Sequence, residues 1–337
     1  MSEAFEKIIS YESLYKAHRR ARLGKRHKKE VINFEMNLSE SLWKLHYDLL
    51  YGGYKCGGYH SFTIYDPKER VIEAISYRDR IIQHSLCDNY LSPLTERYLV
   101  YSSCACRKGK GTSLAVKLLR EYLSKHYAKY GKSGYFIKLD IKKYFDTIDH
   151  TILKTKLKKL HISKDVLGTI YEIIDSYAEV TNKGLPKGNQ TSQIFANLYL
   201  NDVDRCIKEK LKVKKYIRYM DDMIMLVPTR KEASAIFAKV AERIKEENLS
   251  LNPKSEIVAI KNGIDFLGWR FVLGVNGEII QKVKRETKKR IIKKAKRNIR
   301  LSNTNKKLAS IVSYRGFLKR ANTYNFFLKI KRLYFAI

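Results

Sequence analysis

From Lys215 to Val227 the chain reads KYIRYMDDMIMLV: Tyr216, Ile217 and Tyr219 lead in, and Met223, Ile224, Met225, Leu226 and Val227 lead out. Two short apolar runs meeting at Met220-Asp221-Asp222 predict buried strands joined in a tight hairpin, with two acids at its tip. A further run, Tyr135-Phe136-Ile137-Lys138-Leu139, predicts a strand that ends on Asp140 and continues through Ile141-Lys142-Lys143-Tyr144-Phe145-Asp146. Helical periodicity marks Leu38–Leu50, stopped by Tyr51-Gly52-Gly53-Tyr54, and Thr151–Leu160, with Asp146 and Asp149 as capping acids. It also marks Ile194–Leu211, capped from Thr191 or Ser192, and Lys231–Asn248. In the mixed segment from Lys55 to Gly134, a strand is expected over Ser61–Tyr65 and a helix from Arg78-Asp79-Arg80 through Leu86. Leu249–Lys254 reads as a returning strand and Phe266-Leu267-Gly268-Trp269 as a compact aromatic turn. Beyond Lys282, Ile291, Ala295 and Ile299 form a thin apolar stripe on a helix crowded with cations, and a last helical piece carries Ser313–Lys319.

Charge changes the picture most. Lys and Arg number 68 against 34 Asp and Glu, a formal charge of +34. Such an excess calls for a polyanion, because self-repulsion otherwise weakens the compact state. Interleaving with 24 Tyr and 13 Phe suits phosphate contacts plus stacking better than a localised membrane-binding helix, so nucleic acid is the expected partner. Arg19, Arg20, Arg22, Lys25 and Arg26 form one cluster, readable as a solvated helix face or an RNA contact. Lys284, Arg285, Lys288, Lys289, Lys293 and Lys296 form another, on a helix expected to lie along a duplex backbone. At 337 residues the chain is long enough for two domains or one large multi-lobed one. Five cysteines without a C-x-x-C pair read as reduced structural thiols. No apolar run approaches the ~20 residues of a membrane span, and MSEAFEKIIS lacks the order of a signal peptide, so a cytoplasmic protein without membrane contact is expected.

Neighbouring carboxylates about 4 Å apart repel by roughly 4 kcal/mol at an effective dielectric of 20. A proton, an Arg or Lys, or a divalent cation can offset that, and an all-oxygen donor set suits Mg²⁺. A bare Asp-Asp pair at a turn can equally be a polar surface tip. Asp140, at the end of a buried strand, is the natural third ligand for a site built on Asp221 and Asp222. Such a cluster accommodates two metals ~3.5–4 Å apart, one activating a 3′-hydroxyl and one holding a triphosphate. Lys68, Arg70, Arg78 and Arg80 are spaced so that several cations could converge, as a triphosphate requires, although each alone reads equally as a surface salt bridge. Phe145 suits a place under a nucleotide sugar or in the core. Gly184-Leu185-Pro186-Lys187-Gly188 is turn chemistry that lets backbone approach a ligand. Arg107-Lys108-Gly109-Lys110-Gly111-Thr112 lacks the spacing of an ATPase phosphate loop.

With Asp140, the Gly-Leu-Pro-x-Gly loop, Tyr219-Met220-Asp221-Asp222, Lys254 and the Phe-Leu-Gly-Trp turn in this order, the chain resembles the reverse transcriptases over roughly residues 55 to 275. The resemblance implies an α+β right-hand polymerase with fingers, an antiparallel-sheet palm and a helical thumb. It implies a basic helical extension over 1–54, fingers and palm over 55–275 and the thumb over 276–337. Asp140, Asp221 and Asp222 match the catalytic residues, and with Ile141 the ligands of two Mg²⁺ ions, for which Mn²⁺ can substitute. Lys68, Arg70, Phe145, Leu185, Pro186, Lys187, Gly188 and Lys254 match the dNTP site, Phe145 as the gate against a ribose 2′-hydroxyl. Phe266, Leu267, Gly268 and Trp269 match the primer grip.

Gly188-Asn189-Gln190-Thr191-Ser192-Gln193 and the tail SYRGFLKRANTY are similar to those of diversity-generating retroelement reverse transcriptases. That resemblance implies a bacterial or phage-encoded enzyme copying a template RNA with errors at adenines. Its partners would be the RNA/cDNA duplex, dNTPs and a small basic accessory variability protein forming a pentameric barrel. Lys187 departs from the pattern, which has an aliphatic residue there, with Gln in accurate enzymes. Two other readings are an antiphage-defence or retron-type reverse transcriptase copying a non-coding RNA, and a maturase-like RNA-binding protein that no longer polymerises.

Overall fold

In the computed structural model, which describes residues 1–65, 69–177, 182–299, 304–319 and 321–335, the acidic hairpin is formed as expected. Nine strands run through the described residues: β1 Tyr59–Ile64, β2 Arg70–Ile75, β3 Tyr135–Leu139, β4 Tyr216–Tyr219, β5 Asp222–Val227, β6 Glu256–Ala259, β7 Ile264–Phe266, β8 Trp269–Leu273 and β9 Ile279–Val283. They make three sheets, a β1-β2 hairpin, a four-stranded sheet in the order β4-β5-β3-β6, and a meander β7-β8-β9. β1 and β2 pair antiparallel with Ile64 opposite Arg70, β3 and β6 antiparallel with Phe136 opposite Val258, and β8 antiparallel to both β7 and β9. Met223 to Val227 are all buried, as a strand covered on both faces requires.

The chain divides into two compact units, each threaded by several segments. The first comprises Met1–Ala115, Leu139–Met223 and Phe237–Ser255; the second comprises Val116–Lys138, Ile224–Ile236 and Glu256–Ile337. These boundaries do not follow the three consecutive blocks read from the sequence.

In the first unit the N-terminal helices belong to the core: Leu14, Ala17 and His18 of helix Tyr11–Ala21 are buried, as are Ile81 and Ile82 of helix Tyr77–Leu86. The first helix, Glu3–Ile9, is pinned at its start. The Ser2 amide donates to Asp165 Oδ2 at 2.6 Å and the Ser2 hydroxyl to Oδ1 at 2.9 Å. In the second unit, Phe266, Trp269 and Phe271 fill the meander's core, and the Trp269 ring stacks on Phe317 with centroids 4.3 Å apart. Helix Arg285–Ile299 buries Ile291 and Ala295 and exposes its cationic face.

Three local expectations change. The helix expected over Ile194–Leu211 starts at Gln190 and breaks at Leu200, after which Asn201–Arg205 and a wider turn, Cys206–Lys210, carry the chain on. Leu249–Lys254 is not a strand. Leu251 makes one bridge to Ile141, and Asn252-Pro253-Lys254 then turns, because Asn252 Oδ1 accepts the Lys254 amide at 3.1 Å and Pro253 has no N–H for a ladder. Helix Thr112–Tyr130, the longest described, and helix Tyr324–Phe335 were not among the expected elements.

Candidate active site

Asp140 follows β3 directly, and its backbone is clamped on both sides. The Ser255 hydroxyl accepts the Asp140 amide at 3.1 Å, and the Asn252 amide donates to the Asp140 carbonyl at 2.7 Å. One residue on, Ile141 is buried and bridged to Leu251, and the Lys142 amide donates to the Ser250 carbonyl. The returning segment Ser250–Ser255 thus fixes the strand end on which Asp140 sits. Lys254 lies within that clamp, with its side chain exposed.

The β4–β5 turn consists of Met220 and Asp221, and Met220 has φ 57°. A positive φ at the first of two turn residues matches the right-handed twist of a hairpin and is usually filled by glycine. A methionine there costs about 1 kcal/mol or more, which surrounding contacts must offset. Asp221 is half-buried, and its carboxyl is raised above the usual carboxylate range. Burial is the main cause; its own backbone N–H pulls the other way, the Asp140 charge adds to the rise, and Arg70 and Arg218 oppose it. Asp140 and Asp221 are therefore electrostatic neighbours although 81 residues apart by number.

Among the described residues, no group of three or more His, Cys, Asp or Glu side chains stands in metal-holding geometry. The expected three-carboxylate cluster is thus represented by the Asp140–Asp221 pair. Asp222 opens β5 directly after Asp221 and is half-buried. The donor chemistry of the pair, hard carboxylate oxygens, fits a divalent ion.

Around the pair, Arg70 opens β2 and is exposed, while Lys68 lies outside the described residues. Phe145 is half-buried, its ring edge-on to Tyr144 at 5.8 Å, and its carbonyl accepts the Leu185 amide at 2.7 Å. Leu185 and Pro186 are buried, so their side chains pack the core and the loop's exposed edge is Lys187 and Gly188. The Lys187 ammonium sits 2.5 Å from Asp146, and the Glu73 amide of β2 donates to the Lys187 carbonyl at 3.2 Å. Gly188 has φ 135°, and a Cβ there would come within 3.2 Å of Ile72 Cγ2, so only glycine lets this loop lie against β2. Of these partners, Ser255, Asn252, Glu73 and Asp146 were not singled out from sequence as site residues. Arg218 was also missed, although a lone cation inside the apolar run YIRY is a legible signal.

In the second unit the Phe266–Trp269 turn is formed, with Leu267 at φ 49° and Gly268 at φ 86°. Phe266 and Trp269 are buried, so only the Leu267-Gly268 turn is presented outward. On the following helix Arg285, Lys289, Lys293 and Lys296 are exposed and Lys288 lies over the Phe326 ring, whereas Lys284, just before the helix, pairs with Asp265 at 3.2 Å. In the N-terminal cluster of the first unit, Arg19 and Arg26 are exposed, Arg20 pairs with Asp88, and Arg22 pairs with Glu35 at 2.6 Å. Burial, and then the nearby Arg80, lowers Lys25 below the usual lysine range.

A strand-end acid and an acidic hairpin tip on an antiparallel sheet, with a basic helical tail, define a right-hand polymerase. The chain belongs to the reverse transcriptase (RNA-dependent DNA polymerase) family, whose model matches residues 65–271. Members of this family use divalent metal ions. Among relatives, the COX1/OXI3 intron 1 protein of Saccharomyces cerevisiae is 24% identical over 196 residues, covering 54% of this chain and 20% of that protein. The Retron Ec73 reverse transcriptase of Escherichia coli is 24% identical over 194 residues, covering 55% of each. The chain therefore spans a fifth to about half of the length of these relatives. Its fold is similar to that of telomerase from Candida albicans, solved with a fragment of telomeric RNA, at 14% identity and TM-score 0.50, over 88% of this chain and 64% of that one. No helix among the described residues is long and apolar enough to cross a membrane.

Proposed function

We propose that the chain is an RNA-directed DNA polymerase that synthesises cDNA on a template RNA, and that it serves a diversity-generating retroelement. The observation that carries the polymerase reading is the electrostatic neighbourhood of Asp140 and Asp221, brought from a strand end and a distant hairpin tip. Asp140, Ile141, Asp221 and Asp222 would hold two Mg²⁺ ions, or Mn²⁺ in their place, where Lewis-acid chemistry lowers the pKa of a primer 3′-hydroxyl and stabilises departing pyrophosphate. Lys68 and Arg70 neutralise triphosphate charge from the fingers. Phe145, held through its carbonyl by Leu185, lies under the sugar and excludes a 2′-hydroxyl. Lys187 and Gly188 border the incoming nucleotide, and Lys254 approaches it from the clamp behind Asp140.

In this reading residues 1–54 are a basic extension, 55–275 fingers and palm, and 276–337 the thumb. The Leu267-Gly268 turn supports the primer, and the exposed cations of helix Arg285–Ile299 follow the phosphates of the RNA/cDNA duplex. Arg19 and Arg26 add an upstream RNA contact. The retroelement assignment rests on Gly188–Gln193 and on the SYRGFLKRANTY tail, and brings a small basic accessory protein as partner.

The test is primer extension by the purified chain on an RNA template, with the cDNA sequenced and errors sorted by template base. Asp221→Asn should abolish extension while RNA binding stays intact or strengthens; dNTP incorporation by that variant removes the metal assignment. Errors concentrated at adenines support the retroelement reading. An even error spectrum favours the retron-type alternative, which the relationship to the Retron Ec73 enzyme supports.

A further inference from the structure

Arg218 lies in β4, three residues before Asp221, and both it and Asp204 are fully buried. Every N–H of its guanidinium meets an oxygen. Nε donates to Asp204 Oδ1 at 2.8 Å, and Nη2 donates to Asp204 Oδ2 at 2.6 Å and to the Asn197 carbonyl at 3.1 Å. Nη1 donates to Asn197 Oδ1 at 3.1 Å and to the Met220 carbonyl at 3.2 Å. The frame is itself braced. Asp204 accepts the Tyr216 hydroxyl at 2.5 Å, Asn197 Nδ2 donates to the Ala105 carbonyl, and the Arg218 backbone bonds to Ser102 and Cys104.

A two-pronged Arg–carboxylate pair fixes the plane of the guanidinium, and with it the direction of the remaining N–H groups. One of those is spent on the carbonyl of Met220, the residue in left-handed conformation whose neighbour is Asp221. We infer that Arg218 is a positioning residue for nucleotidyl transfer: held by Asp204 and Asn197, it fixes the strained Met220 turn and so aims Asp221. The inference rests on the polymerase reading, and goes beyond it by tying turnover to a side chain that touches neither nucleic acid nor nucleotide. A lysine at 218 would keep the charge but not the fork, and so could hold Asp204 without holding Met220 as well.

The experiment compares wild type with Arg218→Lys and Asp204→Asn, the second serving as the deciding variant should the first not fold. Four quantities are measured: thermal midpoint, RNA affinity, single-turnover primer extension across dNTP concentrations, and the rise in thermal midpoint on titration with Mg²⁺ or Mn²⁺. The expected result is a folded variant with RNA affinity and dNTP KM near wild type, a maximal rate lower by about 100-fold, the scale of a 1 Å misplacement, and a divalent-ion response shifted to higher concentration. Wild-type rate and ion response in the variants overturn the inference. So does a loss of RNA affinity in proportion to rate, which marks a purely structural ion pair. A wild-type chain that extends no primer defeats the polymerase reading instead, and the ion response alone then decides whether Arg218 aims Asp221.

Discussion

Lys187 and Asp146 form an ion pair at 2.5 Å beside the loop that resembles a nucleotide-binding loop, and both side chains are more than a third exposed. An exposed pair of this kind contributes only about 0.2–1 kcal/mol to stability. Its consequence is directional, because it draws the ammonium toward Asp146. Asp146→Asn should leave the thermal midpoint nearly unchanged and lower the KM for dNTPs by about fivefold, equivalent to about 1 kcal/mol, as the freed ammonium turns to phosphate. Lys187→Gln should raise it. Steady-state dNTP titrations check both, and an unmoved KM in the two variants would take Lys187 out of the nucleotide site.

Phe145 has its backbone tied to Leu185 and its ring only half-buried, an arrangement that leaves a face for a sugar. Phe145→Ala should raise ribonucleotide incorporation relative to deoxyribonucleotide by about 100-fold, the usual reach of an apolar contact against a hydroxyl. Competitive incorporation from mixed pools measures it. Unaltered selectivity would leave Phe145 as packing alone.

The cations on and just before helix Arg285–Ile299 divide into paired and exposed members, and only the second kind should govern salt dependence. Changing Arg285, Lys289, Lys293 and Lys296 together to Gln should flatten the slope of log affinity against log salt by about 3, at roughly 0.7–0.9 per phosphate contact. Changing Lys284, held by Asp265, should alter the slope little. Equal slopes for wild type and the fourfold variant would exclude this helix from the nucleic-acid path.

Asp165 links acid stability to the N-terminal helix. Burial alone would raise its carboxyl, but hydrogen bonds from Ser163, from the amide and hydroxyl of Ser2 and from the Val166 amide bring it down to about 2. A carboxylate held below its unfolded value stabilises the fold above about pH 4 and loses that contribution as pH falls through its folded value. Wild type should therefore exceed Asp165→Ala in denaturant resistance at pH 6, with the gap closing between about pH 4 and pH 2. A gap independent of pH would mean that the carboxylate charge is not what holds Ser2.

The strands carrying Asp140, Asp221 and Asp222 were legible because buried apolar runs bounded by acids are locally unambiguous, and the right-hand polymerase fold followed from the order of the motifs. What could not be read were contacts between distant segments. Ser255 clamps Asp140 through its hydroxyl and Asn252 through its backbone amide, and both lie more than a hundred residues away in a segment whose local pattern does not report the contact. The strand expected at Leu249–Lys254 failed because one Asn-Pro pair outweighed the apolar alternation before it. Helix Thr112–Tyr130 escaped because its buried face, Ala115, Leu119, Leu123 and His126, includes a small residue and a polar one, and the aromatic turn shows a different limit. Phe266 and Trp269 drew attention as contact residues, yet they are buried and the backbone between them is what is presented.

The hydrogen bond from the Glu73 amide to the Lys187 carbonyl makes β2 and the Gly-Leu-Pro loop one mechanical piece. A substrate that shifts the loop must drag the β-hairpin with it or break that link. Turnover would then be geared to the hairpin's swing, so loosening the link by a substitution at Ile72, which packs against Gly188 from β2, should change the tempo of synthesis before it changes the chemistry.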